Sequence, residues 1–230
     1  MTLTPTETVD DLDRRTVVMV IGALVCLWGA RFGQDWKSDD WTRLTQVSWW
    51  AVTQIVFYSV VPMAIVVALR LRPADVGWRL RGTARDWKKY AVLFVVAAPF
   101  VIGASATSRF QESYPLYEVV PGQTGVWGDL ALWWPLYVAQ FVAIETFFRG
   151  YLVIGLAPKL GRLSILVATV PYLMIHFVKP PMEALASIVG GLVMGTLAYR
   201  TRSVWWGVAL HVAVAALMDV MSLGHKGFIW

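Results

Sequence analysis

Among the ionisable side chains in the apolar stretches of this 230-residue chain, six stand out: Glu145, Arg149, His176, Glu183, His211 and Asp219. Charge is costly in hydrocarbon, so such residues turn to a protein interior or a water-filled cavity and find partners there. Glu145 and Arg149 stand four residues apart, about 40° around a helix and one turn along it, so they can pair side by side. The pair reads either as a structural ion pair joining helices or as an acid/base carboxylate held by an arginine. His176 follows Tyr172 by four residues and shares its helix face. His211 closes the mid-span run Gly207-Val-Ala-Leu-His211. One such histidine reads as a satisfied interior hydrogen-bonder; two on separate apolar spans, in a chain with only 3, point to a shared site.

Glu183 follows Lys179-Pro180-Pro181, where one helix ends and the next opens. As a first-turn carboxylate it either complements the helix N-terminus or takes a catalytic role. Ser187, Gly191 and Gly195 continue below it at four-residue steps, and small residues at that spacing let helices approach, so Glu183 is expected to face protein. Asp219 lies eight residues after His211, about 80° around the helix, and reads as an outer-cavity carboxylate or an interfacial one. Together these groups suit water activation: a Glu or His takes the proton from a water that attacks a carbonyl, while another donor steadies the oxyanion. Nucleophile chemistry is poorly served, because Cys26 sits in the first span and no serine has a nucleophile setting. There is no His-Glu-x-x-His helix, although His176, His211 and Glu145 together would suffice as a zinc set.

The elements that must position these groups are membrane helices. Hydrophobic residues make up 57% of the chain and charged residues 15%, with mean hydropathy +0.58, against about 45–50% and about 25% in soluble domains. This excludes a soluble globular domain and a disordered chain. A single cysteine excludes an intramolecular disulfide framework and a cysteine-rich metal site, and the absence of Asn excludes N-glycosylation. The 13 Trp fit the aromatic belts of the two membrane interfaces. A crossing needs about 20 apolar residues, and seven spans are expected, near 16–33, 47–69, 89–106, 127–156, 163–177, 181–199 and 204–223. The fold class is therefore an all-α polytopic bundle of seven or eight transmembrane helices. The first span is not expected to be a cleaved signal peptide, since no convincing small-residue cleavage site accompanies it and further spans follow. Residues 1–13 are expected as a polar, disordered tail, residues 14–230 as one transmembrane domain, and residues 70–89 as a basic stretch lying along the membrane surface.

Loop charge sets the orientation. With a cytoplasmic N-terminus, the inner side carries Arg14, Arg15, Arg70, Arg72, Arg79, Arg81, Arg85, Lys88, Lys89, Lys159, Arg162, Arg200 and Arg202. The outer side carries Arg31, Lys37, Arg43, Arg109, Lys179 and Lys226. The N-terminus is thus expected inside and the C-terminus outside, and the pI near 9.5 calls for anionic lipid, with no nucleic-acid partner.

The run Glu145-Thr-Phe-Phe-Arg149-Gly150, then Tyr172-x-x-x-His176, then His211 on the last span, resembles the CPBP family. That family holds the type II CAAX prenyl proteases and the bacterial Abi proteins. Its pattern is Glu-Glu-x-x-x-Arg, Phe-x-x-x-His and His-x-x-x-Asn or Asp. The likeness covers a core of about 127–223. This chain departs from it at three places: Ile144 stands where the family has its first glutamate, Tyr172 where it has Phe, and Ala215 where it has Asn or Asp. The run His176-Phe-x-Lys-Pro-x-x-Glu183 is similar to a single-glutamate bacterial branch that includes myxosortase-like proteins.

What the resemblance implies is a glutamate-type intramembrane endopeptidase that cleaves a membrane-associated protein or peptide near its C-terminal tail. Glu145 and His176 would handle the water, Arg149 would orient Glu145, His211 would bind the oxyanion, and Glu183 and Asp219 would fill the gaps. No cofactor is expected under this reading, with zinc as the alternative. The expected partners are membrane lipid and a substrate with a transmembrane or lipidated tail. The expected place is a bacterial inner membrane, with the site open outward. Two competing readings stand beside it: a non-catalytic immunity or scaffold protein, motivated by Ile144 and Ala215, and a small transporter, against which no inverted repeat is visible.

Overall fold

The computed structural model describes residues 13–229; most of the expected polar tail, residues 1–12, lies outside them. The described residues fold as helices joined by short loops. α1 is Arg14–Phe32, capped by Asp13, whose carboxylate accepts from the Thr16 N–H at 2.9 Å. α2 runs Arg43–Ala68 and contains a π turn at Val56–Val60. α3 is Trp87–Ser105, and α4 is the short Ser108–Ser113. α5 is the 35-residue Val126–Leu160, with a π segment at Thr146–Ile154. α6 is Leu163–Met174, α7 Pro181–Thr201 and α8 Trp205–His225.

Six of these helices are long and apolar enough to cross a membrane. The fifth expected span, 163–177, is a helix of only 12 residues, about 18 Å long at the usual rise. Beyond Met174 the chain descends through turns, with His176 N–H bonded to Leu173 O and Lys179 N–H to His176 O, until Pro180 and Pro181 start α7. The second difference concerns 70–89. This stretch is stitched across one end of the bundle, and its last three residues, 87–89, open α3. Val204 N–H donates to Gly77 O at 3.2 Å, Ser203 Oγ to Arg79 O at 3.0 Å, and Trp206 Nε1 to Thr83 O at 2.8 Å. Trp78 stacks edge-on against Trp205 and donates to Thr146 Oγ1 at 2.9 Å. A buried backbone must find partners, and the α7–α8 turn supplies them.

α5 is the axis. Its apolar window is 78% buried, against 11% for α3, and every residue of the π segment is buried. α2 packs on its first half and α6 and α7 on its second, while α8 lies between it and α3. Small residues set the approach distances. A Cβ at Gly191 would meet Thr169 Cγ2 at 2.8 Å and one at Gly195 would meet Ile165 at 3.0 Å, so the small face of α7 seats on α6 as its spacing implied. The segments 70–86 and 202–206 meet at one end, and the loop 106–125 meets Glu183 and Lys226 at the other, so the long helices alternate in direction.

Candidate active site

Glu145 is the last residue before the π segment and has no exposed surface. π segments within α-helices are rare and concentrate at functional sites; this one keeps Arg149 on the same side of α5 as Glu145. Arg149 Nη1 lies 3.2 Å from Glu145 Oε1, and His211 Nδ1 of α8 lies 2.9 Å from the same oxygen. Both contacts are oblique to the N–H directions, so they hold the carboxylate as charge contacts, not as aligned hydrogen bonds. A buried carboxylate is tolerable only when so paired. The space comes from α8: a Cβ at Gly207 would overlap Glu145 Oε2, with Met194 Cε 3.5 Å away.

The second imidazole nitrogen is also taken. His211 Nε2 lies 3.0 Å from the Tyr172 hydroxyl. Phe141 stacks on the His211 ring at 5.5 Å, and the Arg149 guanidinium sits 4.1 Å over the Tyr172 ring. Tyr172 reaches His176 too. His176 Nδ1 donates to the Tyr172 carbonyl at 2.7 Å, and the two rings are 4.6 Å apart. A carbonyl partner requires the proton on Nδ1, so Nε2 of His176 presents its lone pair. The groups differ in access: the side chains of Glu145 and Arg149 are 1% and 2% exposed, that of His211 18%. The cluster is therefore open on its His211 side and closed at the carboxylate.

Four of the six sequence-predicted residues, Glu145, Arg149, His176 and His211, thus gather around Tyr172. Glu183 and Asp219 do not join them through any contact in the described residues. Glu183 accepts from the Tyr114 hydroxyl with both carboxylate oxygens, at 2.7 and 2.8 Å, and Lys179 Nζ donates to the same hydroxyl at 3.3 Å. Ser222 Oγ and Lys226 Nζ hold the Tyr114 carbonyl. This cluster straps the 106–125 loop over the start of α7. Burial and then the neighbouring Glu183 charge push the Tyr114 hydroxyl above its ordinary pKa, which keeps it a donor to that carboxylate. Burial lowers the Lys179 pKa, with Glu183 and Asp219 opposing it. Asp219 is 2% exposed, and neither of its oxygens has a hydrogen-bond partner in the described residues.

The family positions that differ here are filled by packing. Ile144 sits in the apolar cluster around Tyr58 and Phe147, and Ala215 packs in the cluster of Trp133 and Tyr137. Among the described residues no three His, Cys, Asp or Glu side chains converge as a metal site, so His176, His211 and Glu145 are not gathered as a zinc set: His176 turns its Nδ1 to the Tyr172 carbonyl. Two participants escaped the sequence reading as site residues. Tyr172 was visible as the residue four before His176, and Gly207 as the residue four before His211, each on the face of its histidine.

Residues 126–217 match the family of type II CAAX prenyl endopeptidases described as Rce1-like. No curated protein and no solved structure matches the chain. The matched segment runs from the start of α5 into α8 and contains Glu145, Arg149, Tyr172, His176, Gly207 and His211. With six apolar helices long enough to cross a membrane, the chain is an integral membrane protein whose residues 126–217 are similar to the Rce1-like type II CAAX prenyl endopeptidases.

Proposed function

We propose that the protein is an intramembrane endopeptidase that hydrolyses a peptide bond near the C-terminal tail of a membrane-anchored substrate, using water activated by Glu145 and His176. The observation that carries the reading is the buried Glu145–Arg149–His211 cluster with His176 beside it, inside the segment that matches a protease family. Glu145 is sealed from water, so it acts through His211, whose Nδ1 it faces; Arg149 fixes the carboxylate's place and charge. His176, with Nε2 unprotonated, accepts a hydrogen bond from the attacking water and orients it. The oxyanion role that the family likeness gives to His211 would use the nitrogen now bonded to Tyr172, so His211 is assigned instead to proton transfer. Glu183 and Asp219 bear on the outer loop and not on the reacting atoms.

The end crowned by Trp78, Trp205 and the 70–86 strap is closed, which supports access from the opposite side. With the basic end in the cytoplasm, that side is the outer face of a bacterial inner membrane, the N-terminus is cytoplasmic, and the substrate is a transmembrane or lipid-carrying exported protein. The test compares C-terminal peptides of membrane and secreted proteins in cells bearing wild type, Glu145→Ala or His176→Ala. Loss of trimming in both variants, at normal membrane levels, is expected. Unchanged trimming in both rejects the catalytic roles.

A second reading rests on the apolar burial of Ile144 and Ala215, positions where the family carries polar groups: a non-catalytic protein that keeps the fold as a scaffold or immunity factor. It requires that no tail differs between cells with and without the gene, and that Glu145→Gln leaves the cellular phenotype intact.

A further inference from the structure

We infer that the hydroxyl of Tyr172 is the atom through which the Glu145–His211 pair exchanges a proton with the attacking water, making Tyr172 a catalytic residue of this chain. The inference rests on the peptidase reading for its reaction but on geometry for its chain of contacts. His211 Nδ1 is buried in a 2.9 Å charge contact with Glu145 Oε1, and Nε2 is hydrogen-bonded to the Tyr172 hydroxyl at 3.0 Å. The exposed part of His211 therefore offers no nitrogen free to take a proton from water. The direction of the proton follows from the acceptors. A carboxylate held by Arg149 offers only lone pairs, so its charge favours the tautomer with the proton on the nearby Nδ1. Nε2 is then the lone-pair nitrogen, and the Tyr172 O–H donates to it.

The result is a carboxylate–imidazole–hydroxyl series, the arrangement by which an oriented base draws on a hydroxyl. Here the hydroxyl belongs to a phenol whose ring is fixed by a guanidinium 4.1 Å over its face. In the step, the water O–H bond breaks as its oxygen bonds to the scissile carbonyl carbon. That proton passes to Tyr172 Oη while the Tyr172 proton passes to His211 Nε2, leaving an imidazolium beside Glu145. When the C–N bond breaks, the same two protons move back and the leaving nitrogen takes one. No oxidant or further reactant is needed. The backbone carbonyl of the same tyrosine fixes His176, so one residue is bonded to both imidazoles. The phenol also lies in the chain whose family-first carboxylate position is Ile144, buried among apolar side chains.

The test uses the full chain in detergent micelles, labelled with nitrogen-15 histidine, and in membranes for processing. Tyr172→Phe installs the residue the family pattern carries and removes one oxygen, and a thermal melt verifies its folding. In the wild type the His211 signals are expected to show a protonated Nδ1 and an unprotonated, hydrogen-bonded Nε2, with Nε2 moving to the unbonded position in Tyr172→Phe. A protonated Nε2, or an Nε2 signal unchanged by the substitution, overturns the relay whatever the enzyme cleaves. In cells, tail processing is expected to fall by about 100-fold or more, the typical worth of an acid–base group, with the residual activity losing the wild-type pH dependence. Full processing by Tyr172→Phe also overturns it. If the wild type processes no tail, the peptidase reading fails and the nitrogen signals alone decide the relay.

Discussion

At the scale of single residues, the site turns on one oxygen, Glu145 Oε1, shared by a guanidinium and an imidazole. Removing one partner of a buried pair leaves a charge unpaired in a low dielectric, which costs about 3–5 kcal/mol. Arg149→Ala is therefore expected to lower the unfolding free energy by about that much, and Glu145→Ala combined with it to recover part of the loss; denaturant titration of the four forms in detergent measures the coupling. Gly207 makes the opposite kind of demand. A methyl group there would overlap the Glu145 carboxylate, and overpacking of this kind costs about 1–3 kcal/mol. Gly207→Ala is expected to melt earlier and to lose processing, while Gly190→Ala, where a Cβ meets nothing within 4 Å, changes neither.

At the scale of elements, the π segment of α5 and the 70–86 strap are coupled. Gly150 lies within the segment, and a Cβ on it would come 2.6 Å from the Val76 carbonyl, so the strap rests directly on the backbone that carries Arg149. The strap is held in turn by Asp75, whose carboxylate accepts from the Arg72 backbone N–H at 2.9 Å and from its guanidinium at 3.0 Å. Those bonds hold the Asp75 carboxyl below its ordinary pKa. A lowered folded-state pKa contributes stability that is present above the unfolded value, about 3.9, and is lost as pH falls through the folded one. The pair is exposed and its contribution small. Protection of the 70–86 amides from hydrogen exchange, taken against the intrinsic rate at each pH, is expected to fall below about pH 4, and Asp75→Asn is expected to lower it at neutral pH and to remove the acid dependence.

At the scale of the whole molecule, the bundle has a basic end covered by the 70–86 strap and an opposite end where the 106–125 loop is tied to α7 through Tyr114 and Glu183. Its orientation is testable with the chain's own composition. Cys26 is the one cysteine and has no exposed surface, so single cysteines can be added without a competing thiol. With the N-terminus inside, Thr124→Cys is expected to react with an impermeant maleimide in intact cells and Arg81→Cys only after lysis. Both positions are exposed. The reverse pattern would turn the site's open side toward the cytoplasm.

The membrane bundle and the identity of four clustered residues were legible in the sequence, for separate reasons. Hydrocarbon penalises charge so strongly that six ionisable groups within apolar runs stand out without any knowledge of contacts. The spans are legible because every backbone group must be satisfied within its own helix, which ties length directly to hydropathy. What linear spacing does not contain is which faces meet across α5, α6 and α8. The spacing of Tyr172 and His176 shows a shared face, yet only packing sends the phenol to His211 on another helix and leaves His176 with the tyrosine's carbonyl. The π segment was equally hidden, since its residues have ordinary helical composition and the widening is settled by neighbours pressing on it. Glu183 and Asp219 were read as stand-ins for the missing family groups because a sequence ranks carboxylates by type. The fold instead ties Glu183 to Tyr114 and leaves Asp219 outside the cluster. Residue chemistry and the local period of the helix are properties of short stretches, and the sequence determines them. The meeting of Glu145, His211 and Tyr172 spans sixty-six positions, and only the close packing of four helices around small residues decides it.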